Sequence, residues 1–263
     1  EKTVNQIIAE YLKVARKAGG YTEGSMAERL GISRAAYMKY ETGEQIPDLE
    51  MLCRIGEIFR VGRKEGKRSN PCRVAGMVEE SKAQYGCQGE ELSIEEYFAL
   101  ERCGEYELVE GRLVHRNAPG YEHQRIALLF SMSLEQYLQE HCSKCVVVPA
   151  PFCVVLDEER AVAVQPDISV ICRRELIKDD ICYGAPDIAV EILSPATAEY
   201  DMFEKLALYR KYGVGEYWIV NPGERRVILY DLAADSAPVI ASFETSVPSF
   251  RIKGFSLRLD EMI

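Results

Sequence analysis

Residues Gln165–Val220 read QPDISVICRRELIKDDICYGAPDIAVEILSPATAEYDMFEKLALYRKYGVGEYWIV. Two runs in it, Asp167–Cys172 and Asp187–Leu193, are short, rich in Ile and Val, and bounded by turn-forming residues, which predicts largely buried strands. The first opens on an aspartate after a proline, and the second carries Glu191 amid Ile188, Ala189, Val190, Ile192 and Leu193. Alternation puts Glu191 on the strand face of Asp187 and Ala189, opposite Ile188, Val190 and Ile192. A carboxylate buried there is costly unless a cation or a donor meets it.

Past Ser194-Pro195 the pattern turns helical, with Met202, Leu206, Ala207 and Tyr209 recurring at three- and four-residue steps and Lys205 among them. Gly213 closes that helix, and Glu216–Val220 begins another strand. Strand with Asp, strand with Glu, helix with Lys, strand: these are the parts for metal-assisted phosphodiester hydrolysis. Carboxylate oxygens hold a hard divalent ion, which activates a bound water, while a lysine offsets developing negative charge. A lysine side chain reaches about 6 Å from its Cα along its four-carbon stem, far enough to aim from a helix at strand ends. The plain alternative is an i, i+4 surface ion pair between Asp201 and Lys205. A substitution at Lys205 is accordingly expected to alter stability by no more than ~0.5 kcal/mol.

The run PD…VEILSPATAEYDMFEKLALYRKYGVGEYWIVNP resembles the Uma-type restriction endonuclease family, within the PD-(D/E)xK nuclease fold, and the likeness extends upstream through YELVEGRLV and His123 to cover roughly residues 91–263. The resemblance implies metal ligation by Asp167 and Glu191, with the main-chain carbonyl of Ile192 adding a ligand. It implies a catalytic Lys205, a further carboxylate in Glu107, and Mg²⁺ as the ion, with Mn²⁺ as the alternative. His123 stands as a supporting residue, and Asp187 as a strand-entry residue. The lysine usual two residues after the glutamate is Leu193 here, so the cation must come from the following helix.

Upstream, Val4–Ala18 has Ile7, Ile8, Tyr11, Leu12 and Ala15 at helical spacing, Thr22 caps Glu23–Leu30, Ser33 caps a helix through Tyr40, and Leu49–Phe59 forms a fourth. The stretch YTEGSMAERLGISRAAYMKYETGEQIPDLEMLCRIGEIF resembles the Xre/Cro helix-turn-helix family, which reads DNA with the helix matching Ser33–Tyr40. The implied groove-facing set includes Arg34, Ala35, Tyr37, Met38 and Lys39, with Tyr40 and Ala27 in the core. A glutamine common at the start of the second helix in that family is Glu23 here, an acid where phosphate would approach.

A net charge of −10 argues against a broad electrostatic footprint for nucleic acid, although Arg60, Arg63, Lys64, Lys67, Arg68 and Arg73 form a basic run. That run reads equally as a solvated linker or a phosphate contact. Nine cysteines without framework spacing point to a reducing cytoplasm and unpaired thiols, and Cys142–Cys145 lacks the further ligands of a zinc site. No apolar run is long enough to span a bilayer.

Residues 66–90 read as a linker with a short helix in Val74–Gln84. Ser93 caps Ile94–Phe98, and Tyr106–Val109 and Arg112–His115 flank a hairpin turn at Glu110-Gly111. Glu122–His141 is an amphipathic helix with Ile126, Leu129, Ser133 and Tyr137 facing inward. Val146–Leu156 is extended, Arg225–Leu232 is a strand, and Phe250–Leu259 alternates as a last one. The expected architecture is a small all-α helix-turn-helix domain (1–65), a linker (66–90), and an α/β, restriction-endonuclease-like mixed sheet flanked by helices (91–263). The expected activity is DNA phosphodiester hydrolysis targeted or regulated by the N-terminal domain, with no membrane association and a homodimer left open. The alternatives are a DNA-binding regulator with an inactive nuclease-like domain, and a protein-interaction module.

Overall fold

The computed structural model describes residues 4–64, 91–141, 144–195, 197–234 and 236–260, so the linker and its Val74–Gln84 helix lie outside the described residues. Four helices open the chain: α1 (Val4–Ala18), α2 (Glu23–Leu30), α3 (Arg34–Thr42) and α4 (Leu49–Lys64). Their ends follow from local chemistry. Thr22 Oγ1 accepts from Ser25 N–H and Ser33 Oγ from Ala36 N–H, while Gly31 and Gly43 take the left-handed conformation that closes α2 and α3.

After α5 (Ile94–Phe98) come β1 (Tyr106–Val109), β2 (Arg112–His115), α6 (Tyr121–Glu140), β3 (Val146–Pro149), β4 (Val154–Asp157), β5 (Val162–Val164), β6 (Ile168–Ile171), β7 (Ile177–Lys178), β8 (Ile181–Tyr183) and β9 (Ile188–Ile192). A π-helical turn, Tyr200–Lys205, runs into α7 (Leu206–Tyr212), followed by β10 (Glu216–Asn221), β11 (Arg226–Asp231), β12 (Val239–Ser242), β13 (Val247–Pro248) and β14 (Ser256–Leu257). The mixed sheet expected as one is two six-stranded sheets, ordered β2-β1-β5-β4-β8-β7 and β12-β11-β10-β9-β6-β3. In the second, β9 runs parallel to β10 and antiparallel to β6.

The second sheet is buried on both faces. Ile126, Ala127, Phe130, Leu134 and Leu138 of α6 cover Ile168, Val170, Ile188, Val190, Ile192 and Trp218. The inward line of α6 is therefore Ile126–Phe130–Leu134–Leu138, and Leu129, Ser133 and Tyr137 sit at its margin, half-buried. The other face, with Ala189, Tyr217 and Ile219, packs on Met202, Phe203, Leu206 and Tyr209.

That second apolar cluster continues into Leu52, Ile55 and Phe59 of α4 and the core of the N-terminal helices. The π-turn is thus sandwiched, and all six of its residues are buried. Close approach depends on Gly56: a Cβ there would stand 2.1 Å from the carbonyl oxygen of Phe203. Three residues on, Phe59 meets the Phe203 ring edge-on at 5.8 Å, and Arg60 forms an ion pair with Glu110. Arg60 is thereby withdrawn from the basic run. Gly56→Ala should lower the melting temperature of the full chain, because overpacking costs about 1–3 kcal/mol and exceeds the ~1 kcal/mol gained in helix propensity. Calorimetric unfolding checks this, and a raised melting temperature would contradict the packing.

The final strand expected at Phe250–Leu259 is reduced to Ser256–Leu257, paired with β13. The reason is Glu216, whose buried carboxylate accepts from Phe250 N–H (2.6 Å), Arg251 N–H (2.8 Å), Ser249 Oγ and the Trp218 indole. Those amides wrap a carboxylate and are lost to any ladder. The expectation of unpaired thiols also fails in one place. Val146 and Ile171 are register partners, which sets Cys145 beside Cys172, and the two form a disulfide.

Candidate active site on the second sheet

The register between β6 and β9 pairs Ile168 with Val190, and one step further along that register Asp167 faces Glu191. The Ile192 N–H donates to Asp167 Oδ2 at 2.8 Å, tying the two strand ends together. On the far side of Asp167, His123 at the start of α6 places Nε2 3.0 Å from the same oxygen. The His123 Nδ1 is buried with no hydrogen-bond partner among the described residues.

Lys205 enters from the π-turn. Its Nζ lies 2.8 Å from Glu191 Oε1, 3.1 Å from Glu107 Oε1 and 3.4 Å from Asp201 Oδ1, and it sits over the Tyr200 ring. All four charged groups are almost fully buried. Lys205 is therefore no surface ion-pair partner, and its burial removes the ground for expecting a small stability effect on substitution. Two residues that carry this network were not picked out in the sequence. Tyr209, one turn beyond Lys205, donates its hydroxyl to Glu191 Oε1 at 2.7 Å, and the Gln165 N–H donates to Glu107 Oε1 at 2.8 Å. The i, i+4 spacing of Lys205 and Tyr209 was a legible signal; the Gln165 contact, made by backbone, was not.

The electrostatics follow from burial. Loss of water pushes Glu191 well above the usual carboxylate range; Lys205 pulls it back, and Asp167, Asp201 and Glu107 push it up again. Burial likewise lifts Asp201 to about 6 against the pull of Lys205 and Thr197. Asp167 ends below its ordinary value, because burial is outweighed by the His123 hydrogen bond and charge, the Ile192 N–H and Lys205. For Lys205, burial opposes the charge, yet Glu107, Glu191 and Asp201 together hold it firmly cationic. The cluster thus carries four carboxyl groups, Asp167, Glu191, Glu107 and Asp201, against one ammonium and one imidazole.

Asp187 stands apart and accepts the Cys172 N–H at 2.7 Å, as a strand-entry residue. Leu193, in the position usual for lysine, is buried in the apolar cluster.

On the N-terminal unit, Arg34, Ala35, Met38 and Lys39 of α3 are exposed. Tyr37 is not: it is 0% exposed, in the core between α1 and α3, and leaves the groove-facing set. Tyr40, expected in the core, is only partly buried. Glu23 and Arg34 pair at 2.8 Å, so the acid at the start of α2 holds the first side chain of α3.

A helix-turn-helix pattern matches residues 12–65. Over 55 residues the chain is 42% identical to the SPbeta prophage-derived uncharacterized HTH-type transcriptional regulator YonR of Bacillus subtilis, covering 21% of this chain and 51% of that protein. It is 40% identical over 58 residues to the cryptic phage CTXphi transcriptional repressor RstR of Vibrio cholerae, covering 22% and 52%. The chain spans about half the length of these curated relatives. A crystal structure titled as a putative nuclease belonging to DUF820 from Anabaena variabilis superposes with a TM-score of 0.56 at 18% identity, over 65% of this chain and 97% of that one, which is a likeness of fold. The Uma2 pattern, described as "Putative restriction endonuclease", matches residues 94–259, well over half of the sequence. Behind its helix-turn-helix unit, the chain belongs to the Uma2 family.

Proposed function

We propose that the protein hydrolyses DNA phosphodiester bonds with the aid of a divalent cation, Mg²⁺ or alternatively Mn²⁺, and that its N-terminal unit brings it to DNA. The observation that carries this reading is that Asp167, immediately before β6, is held to the end of β9 by the Ile192 N–H next to Glu191, with the Lys205 ammonium 2.8 Å from Glu191. The donor set suits a hard ion. Negative charge is in excess, and burial beside other carboxylates leaves Glu191 hungry for a cation or a proton. The hydrogen bonds to Asp167 fall on Oδ2 and those to Glu191 on Oε1, so Oδ1 and Oε2 are the oxygens offered to an ion, and the Ile192 carbonyl is the further ligand that the family resemblance implies.

When bound, such an ion supplies an acidified water and charge stabilisation at the phosphate. The chain's own residues do the rest. His123 and the Ile192 N–H fix the orientation of Asp167. Lys205, kept cationic by Glu107 and Asp201, offsets charge building on the phosphate. Arg34, Ala35, Met38 and Lys39 form the groove-facing surface of α3.

A second reading, a DNA-binding regulator whose nuclease-like domain does not cut, is favoured by one observation: Lys205 is buried and engaged by three carboxylates. Supercoiled plasmid incubated with the full chain in Mg²⁺ or in EDTA separates the two. The nuclease reading requires nicked or linear product with Mg²⁺ alone. The regulator reading requires retarded but intact plasmid in both, with binding that weakens steeply as salt rises.

A further inference from the structure

The outward face of α6 carries a pattern that the nuclease site does not use. Tyr121, Arg125, Leu128, Met132, Glu135 and Gln139 are all exposed and follow one another at steps of four, three, four, three and four residues. At 100° per residue they form one straight stripe, opposite the Ile126–Phe130–Leu134–Leu138 line that packs on the sheet. Tyr121, Leu128 and Met132 are 86%, 52% and 57% exposed, and they stand out among the exposed large apolar side chains by sharing one helix face.

The stripe is self-complementary about position 130. An antiparallel copy of the same helix sets Leu128 against Met132 and Arg125 against Glu135, each contact made twice about a two-fold axis. Glu135 accepts from Gln139 Nε2 at 2.8 Å, a neutral donor that leaves its charge available to an arginine.

From this stripe we infer that α6 is a homodimer interface, pairing antiparallel with α6 of a second copy of this chain. Apolar pairs form the centre and two Arg125–Glu135 ion pairs flank it, the arrangement expected of a small isologous contact. Because His123 heads α6, the pairing places two nuclease-like sites about 20 Å apart along the helix axes, at 1.5 Å of rise per residue. The inference does not rest on the nuclease reading, since it is read by mass.

Sedimentation of the full chain should show a concentration-dependent dimer. Arg125→Glu and Glu135→Arg, each alone, should weaken self-association by about tenfold or more, because each sets like charges together. The double variant carrying both changes should regain the dimer. So should an equimolar mixture of the two single variants, in which every facing pair is again opposite in charge. Recovery in the mixture also shows that the single variants are folded. A wild type that stays monomeric, single variants that keep the wild-type association, or a mixture that fails to recover it would overturn the proposal.

Discussion

Lys205→Met is expected to cost about 3–5 kcal/mol of stability at neutral pH, the range for removing one partner of a buried charge pair, and to abolish cleavage. The methionine fills similar volume, so the loss is electrostatic. Glu107, Glu191 and Asp201 would be left buried together without the ammonium that now lies within 3.4 Å of each.

The pH dependence carries the sign. Asp201 already titrates at about 6, above the ordinary 3.8, and Glu191 is lifted well above its ordinary value. A carboxyl whose folded pKa is raised keeps its proton in the folded state longer than in the unfolded one. Stability therefore falls as pH climbs from the unfolded value through the folded one. Without Lys205 these values rise further and the falling window extends towards neutrality. The deficit of the variant should be small near pH 4–5 and largest above pH 7. For the wild type, the stability contributed by Lys205 persists through neutral pH and disappears only in strong alkali, because its folded pKa is raised. Denaturant unfolding across pH checks both trends. A deficit within ~0.5 kcal/mol at all pH values would show that the ammonium compensates nothing.

Glu191→Gln is expected to behave differently. The substitution keeps shape and removes a charge that burial already disfavours, while Lys205 retains Glu107 and Asp201. Stability should change by no more than about 1–2 kcal/mol. Cleavage should fall by about 10³-fold or more, since one of two facing ligands is lost and the ion with it. Binding to duplex DNA in EDTA should be unchanged, because the α3 surface lies on another unit. A variant that cuts at the wild-type rate would leave Glu191 as no more than a counter-ion for Lys205.

The strands bearing Asp167 and Glu191 were legible because a carboxylate amid Ile and Val leaves few readings, and alternation placed Glu191 on the Ala189 face where Lys205 now meets it. Helix caps at Thr22, Ser33 and Ser93 were equally local and came through. What was not legible depends on distant partners. Tyr37 and Tyr40 lie one turn apart on α3, and only the packing of α1 selects Tyr37 for the core. The Phe250–Leu259 alternation is strand-like, yet Glu216, remote in sequence, claims its amides. Cys145 and Cys172 meet only through the β3–β6 register. The docking of α4 on the π-turn turns on the missing Cβ of Gly56, which periodicity cannot report. Lys205 could be placed near the site from its helix, but its burial could not, because Glu107 of β1 and Glu191 of β9, which enclose it, are distant in sequence.

The most direct test of the account is calorimetric titration of Mg²⁺, repeated with Mn²⁺, into the full chain and its Glu191→Gln variant. Facing Asp167 and Glu191 should give the wild type a saturable site that Glu191→Gln weakens by about tenfold or more, each tenfold being about 1.4 kcal/mol. Titrations that coincide for the two chains, or a wild type that takes up neither ion, would contradict the claim that these carboxylates are a cation site.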